Sequence, residues 1–200
     1  MTITINGSGT ITGITAGGLP DATIQTEDIV DLAVTPAKMS QKLTSGTAVA
    51  STSGTSIDFT SIPSWVKRIT VLFDNVSTTS TSPLTLRIGD SGGVSATGYT
   101  SGSGGAISSG AGNSVTSTTG FRLGGNYAAA AQWSGSFILT NLSGNSWALN
   151  GALISANGLY ASAGVKSSPP LTGVLTTVRI TTDGGTDTFD IGSINILYEG

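Results

Sequence analysis

Between residues 67 and 74 every second side chain is apolar: Ile69, Val71 and Phe73 point to one side while Thr70 and Leu72 point to the other. Leu84, Leu86 and Ile88 repeat the same two-residue period. That spacing belongs to a half-buried strand, because successive strand side chains leave on opposite faces. From about Thr47 onward, similar apolar stretches recur between clusters of Gly, Ser, Asn and Asp. Residues 134–140 and 146–155 flank Asn141-Leu142-Ser143-Gly144-Asn145, and residues 174–182 and 186–198 flank Asp183-Gly184-Gly185. Each pair reads as a hairpin, as does the connection from Asn75 to Ser82. Three hairpins in one domain predict an all-β, antiparallel β-sandwich, and the strand count fits an eight-stranded or similar jelly roll. Around Gly192-Ser193 the apolar register of the last strand changes, which predicts a bulge or a break.

Charge is scarce enough to support this reading. Lys and Arg number 8 and Asp and Glu 11, so only 10% of the chain is charged. The strongest exposed helix formers are therefore rare, while Thr, Val and Ile favour strands. A hydrophobic content of 38% with a net charge of -3 predicts a folded chain and not a disordered one. Lys38, Lys42, Lys67, Arg68, Arg87, Arg122, Lys166 and Arg179 are scattered, so nucleic acid is not an expected partner. No apolar run reaches the roughly 18 residues of a membrane span, so no membrane insertion is expected. Met1-Thr2-Ile3-Thr4 lacks the basic and apolar regions of a signal peptide, which points to synthesis in the cytoplasm. With no cysteine to form a disulfide, stability must come from packing or from association between chains.

Residues 1–45 differ from the rest: they carry four acidic residues, no aromatic one, and short apolar stretches broken by Gly. They form a separate segment, followed by a β-sandwich domain over 46–200. Ile24, Ile29, Leu32, Val34, Met39 and Leu43 follow neither a heptad nor a two-residue period, so a lone chain would leave them wet. They are the candidate docking and association contacts. Thr35-Pro36 supplies an N-cap and a first-turn proline, predicting a short helix over about 36–43 with Met39 and Leu43 on one face. The Gly- and Ser-rich stretch between Asp90 and Thr119 reads as a surface loop, or as an apex loop that touches a partner.

Reactive side chains are few. The chain has no His and no Cys, which removes the commonest general base, the commonest transition-metal ligand and the thiol nucleophile. A glycosidase would need a carboxylate pair drawn from Asp58, Asp74, Asp90, Asp183, Asp187, Asp190 and Glu199, nearly all of which stand in turn-like contexts. Asp183, Asp187 and Asp190 do not match an EF-hand spacing, and no Gly-Lys-Ser or Gly-Lys-Thr marks a phosphate loop. We therefore expect no catalysis, no metal and no cofactor. Aromatic residues are the remaining candidates, because neutral ligands such as sugars need neither charge nor metal. Trp65 reads as a structural anchor and Trp147 as core. Tyr99, Tyr127, Trp133 and Tyr160 are the candidates for contact with a surface glycan or protein, and packing between subunits would account for them equally well.

Gly18-Leu19-Pro20-Asp21-Ala22-Thr23-Ile24-Gln25-Thr26-Glu27-Asp28-Ile29, followed by Ala33-Val34-Thr35-Pro36-Ala37-Lys38-Met39, resembles the N-terminal region of tailed-bacteriophage fibre proteins. The stretch from Thr55 to Thr70, with Ile62-Pro63-Ser64-Trp65 within it, is similar to a segment of phage tail proteins. Together the two cover roughly a quarter of the chain. The resemblance implies a homotrimer in the virion, assembled in the host cytoplasm: residues 1–45 dock to another virion protein, and a distal β-sandwich contacts a host glycan or protein. A short tail fibre is the leading expectation. A head fibre or capsid decoration protein is the alternative, and a glycan depolymerase a third.

Overall fold

Backbone ladders take up the alternating stretches as expected, but they join them in a different order. The computed structural model describes residues 43–107, 113–125, 128–129 and 131–200, and these contain fourteen strands and no helix. They are β1 (Leu43–Ser45), β2 (Val49–Ala50), β3 (Ser56–Phe59), β4 (Arg68–Thr78), β5 (Leu84–Asp90), β6 (Gly93–Val94) and β7 (Tyr99–Ile107). The chain continues through β8 (Asn113–Ser117), β9 (Phe121–Arg122), β10 (Trp133–Ser143), β11 (Ser146–Ser155), β12 (Gly158–Lys166), β13 (Thr177–Thr182) and β14 (Phe189–Glu199). A nine-stranded sheet runs β1-β14-β4-β10-β11-β12-β7-β8, with β2 also on β14. A five-stranded sheet runs β3-β13-β5-β6, with β9 also on β5. Every pairing is antiparallel. The two sheets share one hydrophobic core, an all-β arrangement consistent with a β-sandwich.

In β4, Ile69, Val71 and Phe73 are buried and Leu72 is exposed, as the two-residue period requires. Phe73 meets Phe137 of β10 edge to face at 6.1 Å. Each such ring removed from water contributes about 1.5–3 kcal/mol. Of the three predicted hairpins, the one from β10 to β11 forms. The other two do not. β4 and β5 lie in different sheets, as do β13 and β14, so residues 79–83 and 183–188 carry the chain from one sheet to the other. Alternation marks a strand but not its partner, and the partner here is set by which apolar faces can close over a common core. The irregularity at the end of the chain is present: the register of β14 on β4 shifts between Phe189 and Ile191 and again between Ile191 and Ser193.

The Gly- and Ser-rich stretch is likewise not a loop. Residues 99–107 and 113–117 form β7 and β8, and β7 pairs along its whole length with β12. The core-facing positions Ser101 and Ser103 are buried. Neighbouring strands supply the bulk that β7 lacks: Gly105 lies opposite Tyr160, and an added Cβ there would come within 2.6 Å of that ring. Small residues on one strand make room for large ones on the next.

Of the predicted helix over 36–43, only Leu43 is described, and it belongs to β1, paired with Glu199 of β14. Its side chain is exposed. Ile24, Ile29, Leu32, Val34 and Met39 lie outside the described residues, as does residues 1–42 as a whole.

Candidate functional site

Over five of its strands the nine-stranded sheet carries no charge on its outer face. β7, β8, β10 and β11 contain no Asp, Glu, Lys or Arg. The single charge of β12, Lys166, points into the core. Five adjacent strands therefore turn only neutral side chains outward. One row across them is Ile138, Asn150, Ala163, Gly102 and Thr116, and a second is Ala148, Val165 and Thr100. The rows enclose a shallow hollow of about 510 Å³ lined by Thr100, Gly102, Thr116, Ala148, Ala163 and Val165. The sheet's other charges lie on β4 and β14, where Arg68 and Glu199 stand 3.5 Å apart at one end and Asp74 and Asp190 lie further along. A soluble surface normally mixes charges of both signs, so this expanse is unusual, and covering it would strip water from no ion.

Three of the four aromatic candidates for surface recognition are core residues instead. Tyr99 is 2% exposed, Trp133 2% and Tyr160 1%. Trp133 packs against Tyr160 with ring centroids 5.6 Å apart, and Tyr99 meets Phe121 edge to face at 5.0 Å. None offers a face to a glycan. Each sits on the inward phase of its strand, and in a chain this poor in aromatics the rings are needed to fill the core. Tyr127 lies outside the described residues. Trp147 is core, as expected, and Trp65 is half-buried and packs against the hydrophobic core.

The Tyr99 hydroxyl accepts a hydrogen bond from Ile88 N at 2.9 Å and lies 3.1 Å from Ser95 O, to which it can donate. Burial pushes this phenol up to about 12. Above its ring, at 5.3 Å, stands the Lys166 ammonium, which donates to Pro169 O at 2.8 Å. Burial lowers the Lys166 pKa, and Asp90 opposes that shift. Asp90 accepts from the Thr172 hydroxyl and Gly173 N, each at 2.7 Å, and from Gly92 N at 2.8 Å. Those bonds, the Thr172 hydroxyl foremost, hold its carboxyl down at about 2. Lys166 and Asp90 thus tie down successive parts of one strap, residues 167–173.

Several of the other carboxylates hold separate segments together, while Asp187 keeps one buried oxygen without a hydrogen-bond partner. Asp58 takes a two-pronged contact from Arg179 at 2.7 and 2.6 Å, which raises the Arg179 pKa, the hydrogen bond to Asp58 being the largest cause. Asp183 meets Arg122 at 3.1 Å, Asp190 accepts from the Ser77 hydroxyl, and Asp74 accepts from the Asn75 amide at 2.8 Å. Among the described residues no three His, Cys, Asp or Glu side chains gather where they could hold a metal ion. Scarce charge was legible in the sequence, but strand order was needed to see that these residues form strands lying side by side. Comparison with known proteins gives no match to a family model, a curated protein or a solved structure.

Proposed function

We propose that the chain is a phage virion structural protein, a short homotrimeric tail fibre that docks through residues 1–45 and contacts the host surface through its β-domain. The observation that supports this reading is the neutral outer face formed by β10, β11, β12, β7 and β8. An uncharged surface gives a charged partner nothing to pair with, but it suits a second copy of itself, since neither copy loses hydrated ions on contact. Closed symmetry lets three copies cover such faces without leaving a free end. The resemblance of residues 18–39 and 55–70 to phage fibre and tail proteins points to the same assembly. The finer architectural features belong to this proposal too: a short helix from Pro36 that ends before Leu43 of β1, and the jelly-roll winding of the strands.

The test is the solution mass by light scattering of the full chain and of Ala163→Glu, which places a charge in the middle of the neutral face. A mass three times the 19.9 kDa of one chain, falling to one chain in the variant, is the expected result. A monomeric wild-type protein would overturn the fibre assembly. Antibody labelling of intact particles then separates tail attachment from head attachment.

A further inference from the structure

Far from the centre of the neutral face, β4 is deformed from both sides at one residue. Toward β10, Asp74 and Asn75 together oppose the single residue Ser134, because Phe73 pairs with Gly135 and Val76 with Trp133. Toward β14, Asn75 and Val76 together oppose Gly192, because Asp74 pairs with Ser193 and Ser77 with Ile191. Asn75 therefore sits in a bulge against each neighbour, with φ at +52°. Its backbone N–H leaves the ladder and donates to the Ser134 hydroxyl at 3.0 Å. Gly192 presses from the other side, since a Cβ there would lie 2.6 Å from Asn75 O. Bulges of this kind re-aim a side chain, and an L-residue at positive φ is held there only by its surroundings.

The re-aimed Asn75 borders a hollow of about 560 Å³, lined also by Gln132, Ser134, Ile154, Ser155 and Asn157. We propose that this hollow is a binding site for a neutral carbohydrate unit. None of its lining residues is charged. The Asn75 amide nitrogen donates to Asp74 at 2.8 Å, which fixes the plane of the group and leaves its carbonyl to accept. Gln132 and Asn157 spend no side-chain hydrogen bond among the described residues. Ser134 and Ser155 each accept a backbone N–H, from Asn75 and Asn157 respectively, and keep a hydroxyl proton to donate. A planar amide presents a donor and an acceptor side by side, which matches two adjacent sugar hydroxyls. Ile154, 56% exposed, supplies an apolar patch for the C–H face of a pyranose ring. An anion would meet no cation here.

This inference deepens the host-contact part of the proposed function and rests on it for its biological meaning, but binding is measured on the full chain directly. Saturation-transfer NMR with D-glucose, D-galactose, D-mannose and N-acetyl-D-glucosamine, each at millimolar concentration, is the experiment. Transfer to at least one sugar is expected, with loss of the signal in Asn75→Gly and in Asn157→Ala. The glycine variant accepts the positive φ while deleting the amide, so the fold is retained, which circular dichroism checks. No transfer to any of the four sugars, or equal transfer in both variants, would overturn the site. Light scattering on the same samples separates the two readings: a trimer that binds no sugar removes this site alone, and a monomer that binds sugar removes the assembly alone.

Discussion

Three hydrogen bonds converge on the carboxylate of Asp90, and their effect has a definite sign. A carboxyl group held at about 2 in the folded chain, against an ordinary value of 3.8, binds its proton less readily than in the unfolded chain. Its ionised form therefore stabilises the fold fully above about pH 4, and that contribution is lost as the pH falls toward about 2. Asp90→Asn removes the titration, so wild type should be the more stable at neutral pH, with the gap narrowing as acid is added. Urea unfolding of both proteins across that window checks this, and a gap that stays constant would show that the carboxylate is not its source. At this scale the sequence was only partly legible. Asp90 next to Ser91-Gly92 reads as a turn residue, and its bond to Gly92 N is of that kind, but Thr172 and Gly173 are remote in sequence and could not be foreseen. Tyr99, Trp133 and Tyr160 read as surface residues because Gly and Ser flank them; their burial comes from strands that are distant in the chain.

Among the elements, β7 is the one whose nature the sequence hid. Its glycines and serines suggest a loop, yet it pairs with β12 on one side and β8 on the other. Two of its glycines should respond differently to the same substitution. At Gly102 an added Cβ meets only Val115 O at 3.7 Å, an ordinary contact, and alanine should be neutral or slightly stabilising. At Gly105 the Cβ would run into Leu159 O and approach the Tyr160 ring, so Gly105→Ala should cost about 1–3 kcal/mol. Urea denaturation midpoints distinguish the two, and equal effects would mean that β7 does not lie against β12 in this register. The β10–β11 hairpin was legible because a short Asn- and Gly-containing turn joins strands adjacent in both sequence and space. The connections after β4 and β13 were misread because their turn residues look the same whether the chain folds back or crosses to the other sheet.

For the whole molecule, an association that uses the neutral face should be insensitive to salt, since screening acts only on charges. The light-scattering mass of the full chain should be unchanged between low salt and 1 M sodium chloride, where the screening length falls to about 3 Å. A mass that drops with salt would place the contact on charged groups elsewhere. By itself, the sequence determined that the domain after residue 46 is all-β, where its longest strands lie, that the last of them is irregular, and that charge is scarce throughout. These are consequences of local alternation and composition, which act over a few residues. Only the tertiary structure decided which strands are neighbours, that a Gly- and Ser-rich segment is a paired strand, that three aromatics are core, and that Asn75 faces a hollow shared with Gln132 and Asn157. Each of these depends on contacts between residues far apart in the chain, and such contacts are selected by the closing of one common core rather than by any residue's own preference.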